Sequence, residues 1–247
     1  MHHFLFSFQL WEATSSISVM KMLAEQTEKN VTLAVKEADE PGAITKGEYE
    51  DEAEDQFGEY FSFQRIYYTC GSCIGDDREE VRSEYIRLIT QLTRRSAFLT
   101  IFGLFEHRIS ECLQFMINLS DYKEGISGKG VIEKTHTILK KVFEGKLILD
   151  VDHLTVIRNI MIHNDGVAKN YNKLLNLKSK KTHAEKRLLN AVRRTEGITI
   201  NDFDGVLMNS NFLMYAVGEF ERYVKSLETV VKTYHCKVRV GCCNESS

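Results

Sequence analysis

The sequence predicts an all-α protein. A single proline, Pro41, among 247 residues leaves nearly the whole chain free of helix breakers, and apolar residues recur at steps of three and four far more than at two. A hydrophobic content of 43% with 27% charged residues is ordinary for a soluble globular chain, and this length suffices for one large helical domain with appendages.

Taken in order, the first long helical pattern runs from about Ser15 to Ala38, and a second covers Tyr49 to Phe63. Tyr60, Phe61, Phe63, Ile66, Tyr67 and Tyr68 form a dense aromatic cluster expected in a core or an interface. Gly71, Gly75 and Asp76-Asp77 then read as a turn and a helix start, because glycine supplies unusual backbone angles and aspartate caps exposed amides. The helix that follows, Arg78 to Leu119, carries Phe98, Phe102, Phe105, Ile109, Leu113 and Met116 along one side, a core stripe. Gly125 to Gly130 is a connector and not a phosphate loop, since no lysine and hydroxyl residue follow it in the right place. A further helix spans Val131 to Phe143 and ends at Gly145. Asp150 or Asp152 caps the next, which bears Arg158 and His163 and keeps Asn164 and Asp165 in its last turn, and Phe212 to Tyr234 supplies another amphipathic helix.

Three regions follow from this pattern: an N-terminal helical region with an acidic segment (residues 1–75), a helical domain (76–236) and a C-terminal tail (237–247). The net charge of −3 hides an asymmetry. From Glu37 to Glu59 ten acidic residues face the single Lys46, whereas from Lys169 to Arg194 nine basic residues face the single Glu185. Both runs fit solvated surfaces; the basic one also fits a phosphate-binding surface, and the acidic one could screen it.

No stretch reaches the roughly 18 apolar residues of a membrane span, and Met1 to Trp11 lacks the features of a signal peptide, so a cytoplasmic protein is expected. The six cysteines (Cys70, Cys73, Cys112, Cys236, Cys242, Cys243) fit reduced thiols there, although the even count also permits pairing. Cys70 and Cys73 have the spacing of half a zinc knuckle, but the adjacent Cys242 and Cys243 make a poor second half. His2, His3, His107, His136, His153, His183 and His235 form no ligand spacing, so neither metal nor other cofactor is expected. Asp202-Phe203-Asp204-Gly205 lacks the later glutamate of a calcium loop and reads as a turn.

The most informative segment is Arg158-Asn159-Ile160-Met161-Ile162-His163-Asn164-Asp165-Gly166. At about 100° per residue, Leu154, Val156, Ile157, Ile160 and Met161 share one arc, while Thr155, Arg158, Asn159 and His163 share the opposite, exposed one. Arginine and histidine therefore flank a groove, equipped to hold a phosphodiester and move a proton beside it. Ile162 falls within the polar arc, and an apolar residue there suggests a covering partner, such as a second copy of the helix. Gly166 is placed to stop the helix in the left-handed region, with Asp165 opposing the helix dipole just before it. A purely structural alternative pairs Arg158 with a nearby carboxylate and leaves His163 to cap the last carbonyls.

The long helix with Phe102-Gly103-Leu104-Phe105-Glu106-His107, followed by a shorter one with Arg158, Asn159 and His163, resembles the HEPN superfamily of all-α RNA-cleaving and nucleotide-binding domains. The likeness covers roughly Arg78 to His235, and the family signature is an arginine, a polar neighbour and a histidine after four to six intervening residues; here there are four. It implies a helical bundle of that type with an additional N-terminal helical region. It also implies a metal-independent endoribonuclease, acting as a homodimer or higher even oligomer with two motif helices across a composite cleft. Arg158 would hold the scissile phosphate, Asn159 would orient it or the imidazole, and His163 would serve as base or acid. Ile162 would lie at the dimer interface. RNA would be bound by Asn164, Asp165, Lys169, Lys173, Lys178, Lys180 and Lys181. A toxin or antiviral abortive-infection role follows by the same likeness. Family toxins silenced by modification often carry a tyrosine two positions after the histidine; Asp165 stands there, so any antitoxin or regulatory partner would act otherwise. A non-catalytic module binding RNA or a nucleotide, or a helical interaction scaffold, are the alternatives.

Overall fold

The computed structural model describes residues 7–122, 125–126, 128, 130–145 and 150–244, with side chains described to residue 238. His2, His3, part of the glycine-rich connector and the thiols of Cys242 and Cys243 lie outside these residues. The chain is mostly helical with a small antiparallel sheet, so it is not all-α. Among the described residues the helices are α1 (Phe8–Glu37), α2 (Arg78–Ser120), α3 (Val131–Lys141), α4 (Asp152–His163), α5 (Tyr171–Asn176), α6 (His183–Arg194) and α7 (Phe212–Asn244). The strands are β1 (Ile44–Glu54), β2 (Tyr60–Cys70), β3 (Cys73–Gly75), β4 (Ile198–Ile200) and β5 (Val206–Met208). Two compact units are distinguished, one made of Met1–Glu25 with Arg95–Ser247, the other of Gln26–Arg94. The division thus falls inside α1 and α2, whereas the sequence pattern suggested a boundary at residues 75 and 76.

The larger unit is built on the predicted apolar stripes. Phe98, Phe102, Phe105 and Ile109 of α2 are fully or almost fully buried, as are Phe212, Phe220, Tyr223 and Leu227 of α7. The Phe105 and Phe220 rings stack at 4.1 Å, and Phe102 meets both edge-on. Ile138 and Leu139 of α3, Leu154 and Ile157 of α4 and Met20 of α1 close the same core. Residues 237–244, expected as a tail, continue α7. Hairpin β4–β5 turns through Asn201, whose Oδ1 accepts the amides of Phe203 and Gly205 at 3.0 and 2.7 Å, so Asp202 to Gly205 form a turn, as their sequence suggested.

The smaller unit corrects the sequence reading. Instead of a helix over Tyr49 to Phe63 there is a β-hairpin, with Ile44 opposite Cys70 at its base and Glu54 opposite Tyr60 at its tip. The aromatic and β-branched residues of β2 favour a pleated strand, and Glu48, Glu50, Glu52 and Glu54 alternate along β1 with period two. The turn is fixed by Asp55, whose Oδ1 accepts the amides of Phe57 at 2.8 Å and Glu59 at 3.0 Å, and by Gly58 at φ +83°. The aromatic cluster is therefore not core: Tyr60, Phe61, Phe63 and Ile66 are exposed. Ala38, Cys70, Cys73 and Val81 form a small separate core at the hairpin's base. Asp77 caps α2 as expected, accepting the Glu80 amide at 2.8 Å. Arg94, almost buried, binds Glu28 through two hydrogen bonds of 2.8 and 2.7 Å. No helix among the described residues is long and apolar enough to cross a membrane.

Candidate functional site

Helix α4 is fixed by its apolar side: Leu154, Ile157, Ile160 and Met161 are all buried in the main core. At its N-terminus Val151 occupies the cap position, and Asp150, one residue earlier, accepts the first helical amide, that of Asp152, at 3.3 Å. The two carboxylates also face arginines of α6: Arg187 Nε donates to Asp152 Oδ2 at 2.9 Å and Arg194 to Asp150 at 2.8 Å. Burial alone would push the Asp150 carboxyl up, but the Arg194 charge and the Asp152 amide hold it below the usual carboxylate range. Asp150 thus serves both the helix end and a tertiary ion pair, whereas Asp152 serves the tertiary pair with Arg187.

The polar side of α4 is less exposed than helix geometry alone suggested. Arg158 and Asn159 are half-buried. The Arg158 guanidinium donates to Glu106 Oε2 and to Asn159 Oδ1, each at 3.0 Å, and lies 5.6 Å from the centre of the Phe102 ring. It is thus held by three partners while keeping further N–H donors for a ligand. Arg158 and Asn159 border a groove of about 520 Å³ with Glu106, Glu133, Thr155 and Arg187. Asn159 also borders an adjoining groove of about 350 Å³, which contains His163, Asn164, His183 and Arg187. Arginine and histidine therefore open onto neighbouring grooves, joined by Asn159.

At the helix end, Ile162 is 46% exposed and His163 is exposed. Asn164 is the C-cap residue, its amide bonding to the Ile160 carbonyl. Gly166, at φ +77°, turns the chain as expected, but Asp165 is also left-handed at φ +50° and has already left the helix. The Asp165 carboxylate accepts from Arg95 at 2.6 Å. The Arg95 guanidinium lies against the Gly166 backbone, where a side chain would collide with it. An acidic residue at a helix C-terminus is unfavourable, and Arg95 offsets it. The chain beyond is anchored by backbone bonds from Val206 to Gly166 and from Ala168 to Asp204, at 2.9 and 2.8 Å.

Of the lysines singled out, Lys169 and Lys173 border a groove of about 460 Å³ with Leu174, Leu177 and Glu185. Lys178 and Lys180 are exposed, and Lys181 Nζ donates to the Leu177 carbonyl at 2.7 Å, tethering the segment before α6. Lys169, Lys173, Lys178 and Lys180 form no ion pair among the described residues.

Three participants were not read from the sequence. Glu106 stands out in the sequence only as part of the run Phe102 to His107, and Arg95 and Arg187 not at all, because their partners lie 52, 70 and 35 residues away. His153 is the other surprise: it is buried, and its Nε2 lies 3.1 Å from the Tyr215 hydroxyl. That hydroxyl donates to the Arg194 carbonyl at 2.9 Å, so the imidazole proton is assigned to Nε2 and the unpartnered Nδ1 is the acceptor. Burial and the Arg194 charge lower the His153 value from 6.5 to about 4. Cys70, Cys73, Cys112 and Cys236 are free thiols, and among the described residues no group of three or more His, Cys, Asp or Glu side chains is placed to hold a metal ion. Comparison of the chain with models of protein families, with curated proteins and with solved structures finds no match.

Proposed function

We propose that the chain is a metal-independent endoribonuclease of HEPN type. The observation behind this reading is the shared face of Arg158, Asn159 and His163 at the end of α4, with the guanidinium fixed by Glu106 and Phe102 and the imidazole open to solvent. RNA brings its own nucleophile. A base removes the ribose 2′-hydroxyl proton, the 2′-oxygen bonds to phosphorus, and the P–O5′ bond breaks as an acid protonates the leaving 5′-oxygen. The products are a 2′,3′-cyclic phosphate and a 5′-hydroxyl. Arg158 neutralises charge growing on the phosphoryl oxygens. His163 takes one proton role, and its copy in a second subunit takes the other. Ile162 supports this pairing, as an exposed apolar residue on the face that a second α4 would cover. Lys169, Lys173, Lys178 and Lys180 extend the electrostatic footprint along the RNA. A cytoplasmic toxin or antiviral defence effector is the role that goes with this chemistry.

Cleavage of a labelled RNA should persist in excess chelator, yield cyclic phosphate ends and vanish in His163→Ala. Activity lost to chelator or kept in that variant refutes the reading. The Arg158–Glu106 pair favours a second reading, a binding module in which a carboxylate already satisfies the guanidinium. Glu106→Gln separates the two: a positioning carboxylate makes cleavage slower in the variant, whereas a merely competing one makes RNA bind tighter without cleavage.

A further inference from the structure

The hairpin β1–β2 has two chemically opposed faces. Strand alternation places Glu48, Glu50, Glu52 and Glu54 on one face, all exposed and about 7 Å apart along the strand. Lys46 pairs with Glu48 and the Tyr60 hydroxyl donates to Glu54, but Glu50 and Glu52 meet no cation among the described residues. The other face is richer in aromatic rings and carries its acid neutralised. It holds Tyr49, Asp51 and Ala53 of β1 with Phe61, Phe63, Arg65 and Tyr67 of β2; Arg65 pairs with Asp51 at 3.1 Å, the Tyr67 ring covers Gly47, and the Phe61–Phe63 and Tyr49–Tyr67 rings lie 6.0 and 6.1 Å apart, while Tyr60 and Ile66 of β2 stand on the glutamate face.

Among the described residues nothing from Thr45 to Tyr67 contributes to either hydrophobic core, so beyond its base the ribbon lacks apolar support and is tied by the surface pairs of Arg65 with Asp51 and Asp76. Two strands alone are marginal in water. The sheet order β1-β2-β3 leaves β1 on the edge, and its eleven residues present a row of amides and carbonyls with no strand beside them among the described residues. Such an edge is a template for another strand. Its chemistry restricts which one. Nucleic acid is repelled by four carboxylates in a row, and a second β1 paired antiparallel about a twofold axis would set glutamates beside glutamates on the same face.

We propose that the free edge of β1 receives an extended segment of a partner protein in which lysine or arginine alternates with apolar residues. Added as a strand, this segment sets its cations beside Glu48, Glu50, Glu52 and Glu54, which β2 does not neutralise, and its apolar side chains on the face of Tyr49 and Ala53, where Arg65 already pairs with the intervening Asp51. The site is independent of any chemistry on α4.

The test uses the full chain and a labelled peptide of about nine residues alternating lysine and valine. Fluorescence anisotropy should show saturable binding that weakens with salt and falls about tenfold or more in the double variant Glu50→Lys, Glu52→Lys. Hydrogen exchange should slow at β1 amides. A peptide of the same pattern with glutamate for lysine should not bind, and neither should a lysine peptide methylated at alternate backbone nitrogens, which keeps its charge but cannot form the ladder. The last control leaves the protein unaltered, so misfolding of the double variant cannot obscure the outcome. Absent binding, binding by the methylated peptide, or protection at another segment overturns the proposal. So does a dimer of the chain dissolved by the charge reversal, which would make a second copy the occupant, or RNA protecting β1.

Discussion

Helix α4 and the β1–β2 hairpin both hold apolar side chains out to solvent, Ile162 at 46% and Phe61 at 52% exposure, yet they are held in different ways. Four buried residues on the far side of α4 fix its polar face in place, and Glu106, Phe102 and Arg95 add lateral ties. Among the described residues the hairpin is tied at its base by Ile44, Tyr68 and Cys70 and, farther out, by Arg65, which bridges Asp51 and Asp76 at the surface. An anchored face keeps functional groups in fixed geometry, which catalysis requires. An unanchored ribbon offers edges and surface, which recognition by strand addition requires.

The comparison breaks first at the core. Phe105→Ala removes the ring stacked on Phe220 and should cost about 3–5 kcal/mol by denaturant titration. A loss below about 1 kcal/mol would show that α2 and α7 do not brace the site as described.

The next test is acid. The folded chain resists protonation of His153, so as pH falls below 6.5 the unfolded state takes up the proton first and stability drops, levelling near 4, where the folded form protonates too. The loss across that window should be about 3 kcal/mol, and His153→Gln should flatten it. Urea midpoints at several pH values would reveal a slope unaltered by the substitution if another group were responsible.

At the end of α4, Gly166→Ala forces a side chain into a left-handed residue and against Arg95. We expect a loss of about 1–2 kcal/mol and a weakened Arg95–Asp165 pair, the first read from thermal unfolding and the second by a double-mutant cycle with Asp165→Asn. The smallest effect belongs to the hairpin, where Phe61→Ala should change global stability by no more than about 0.5 kcal/mol. A value near that of Phe105→Ala would mean that the ribbon has support of its own, and the contrast drawn above would fail.

How far these regions could be read from sequence follows the same contrast. Helices α2, α3 and α7 were legible because their apolar residues recur on one face, a pattern that burial enforces. The hairpin was misread because Tyr49, Ala53, Phe57 and Phe61 stand four apart, a helical spacing that on the ribbon is broken between two strands and a turn. No buried stripe disciplined that segment, so periodicity carried no information about it. The side of α4 that carries Arg158, Asn159 and His163 was legible from spacing, but the ties around it were not: Asp150, which does accept the first helical amide, and Asp152 also pair with Arg194 and Arg187.

The sequence by itself determined which faces of the long helices and of α4 are buried, and that Arg158, Asn159 and His163 lie off the buried side of α4, because these depend on residues within a few turns of one another. Only the tertiary structure decided that Glu106 holds Arg158, that Arg95 balances Asp165, that His153 is sealed beside Tyr215, and that the acidic segment is a strand with an open edge. Those outcomes depend on partners tens of residues away, and the strength of charge pairing and desolvation is set by a separation and a burial that no local pattern encodes.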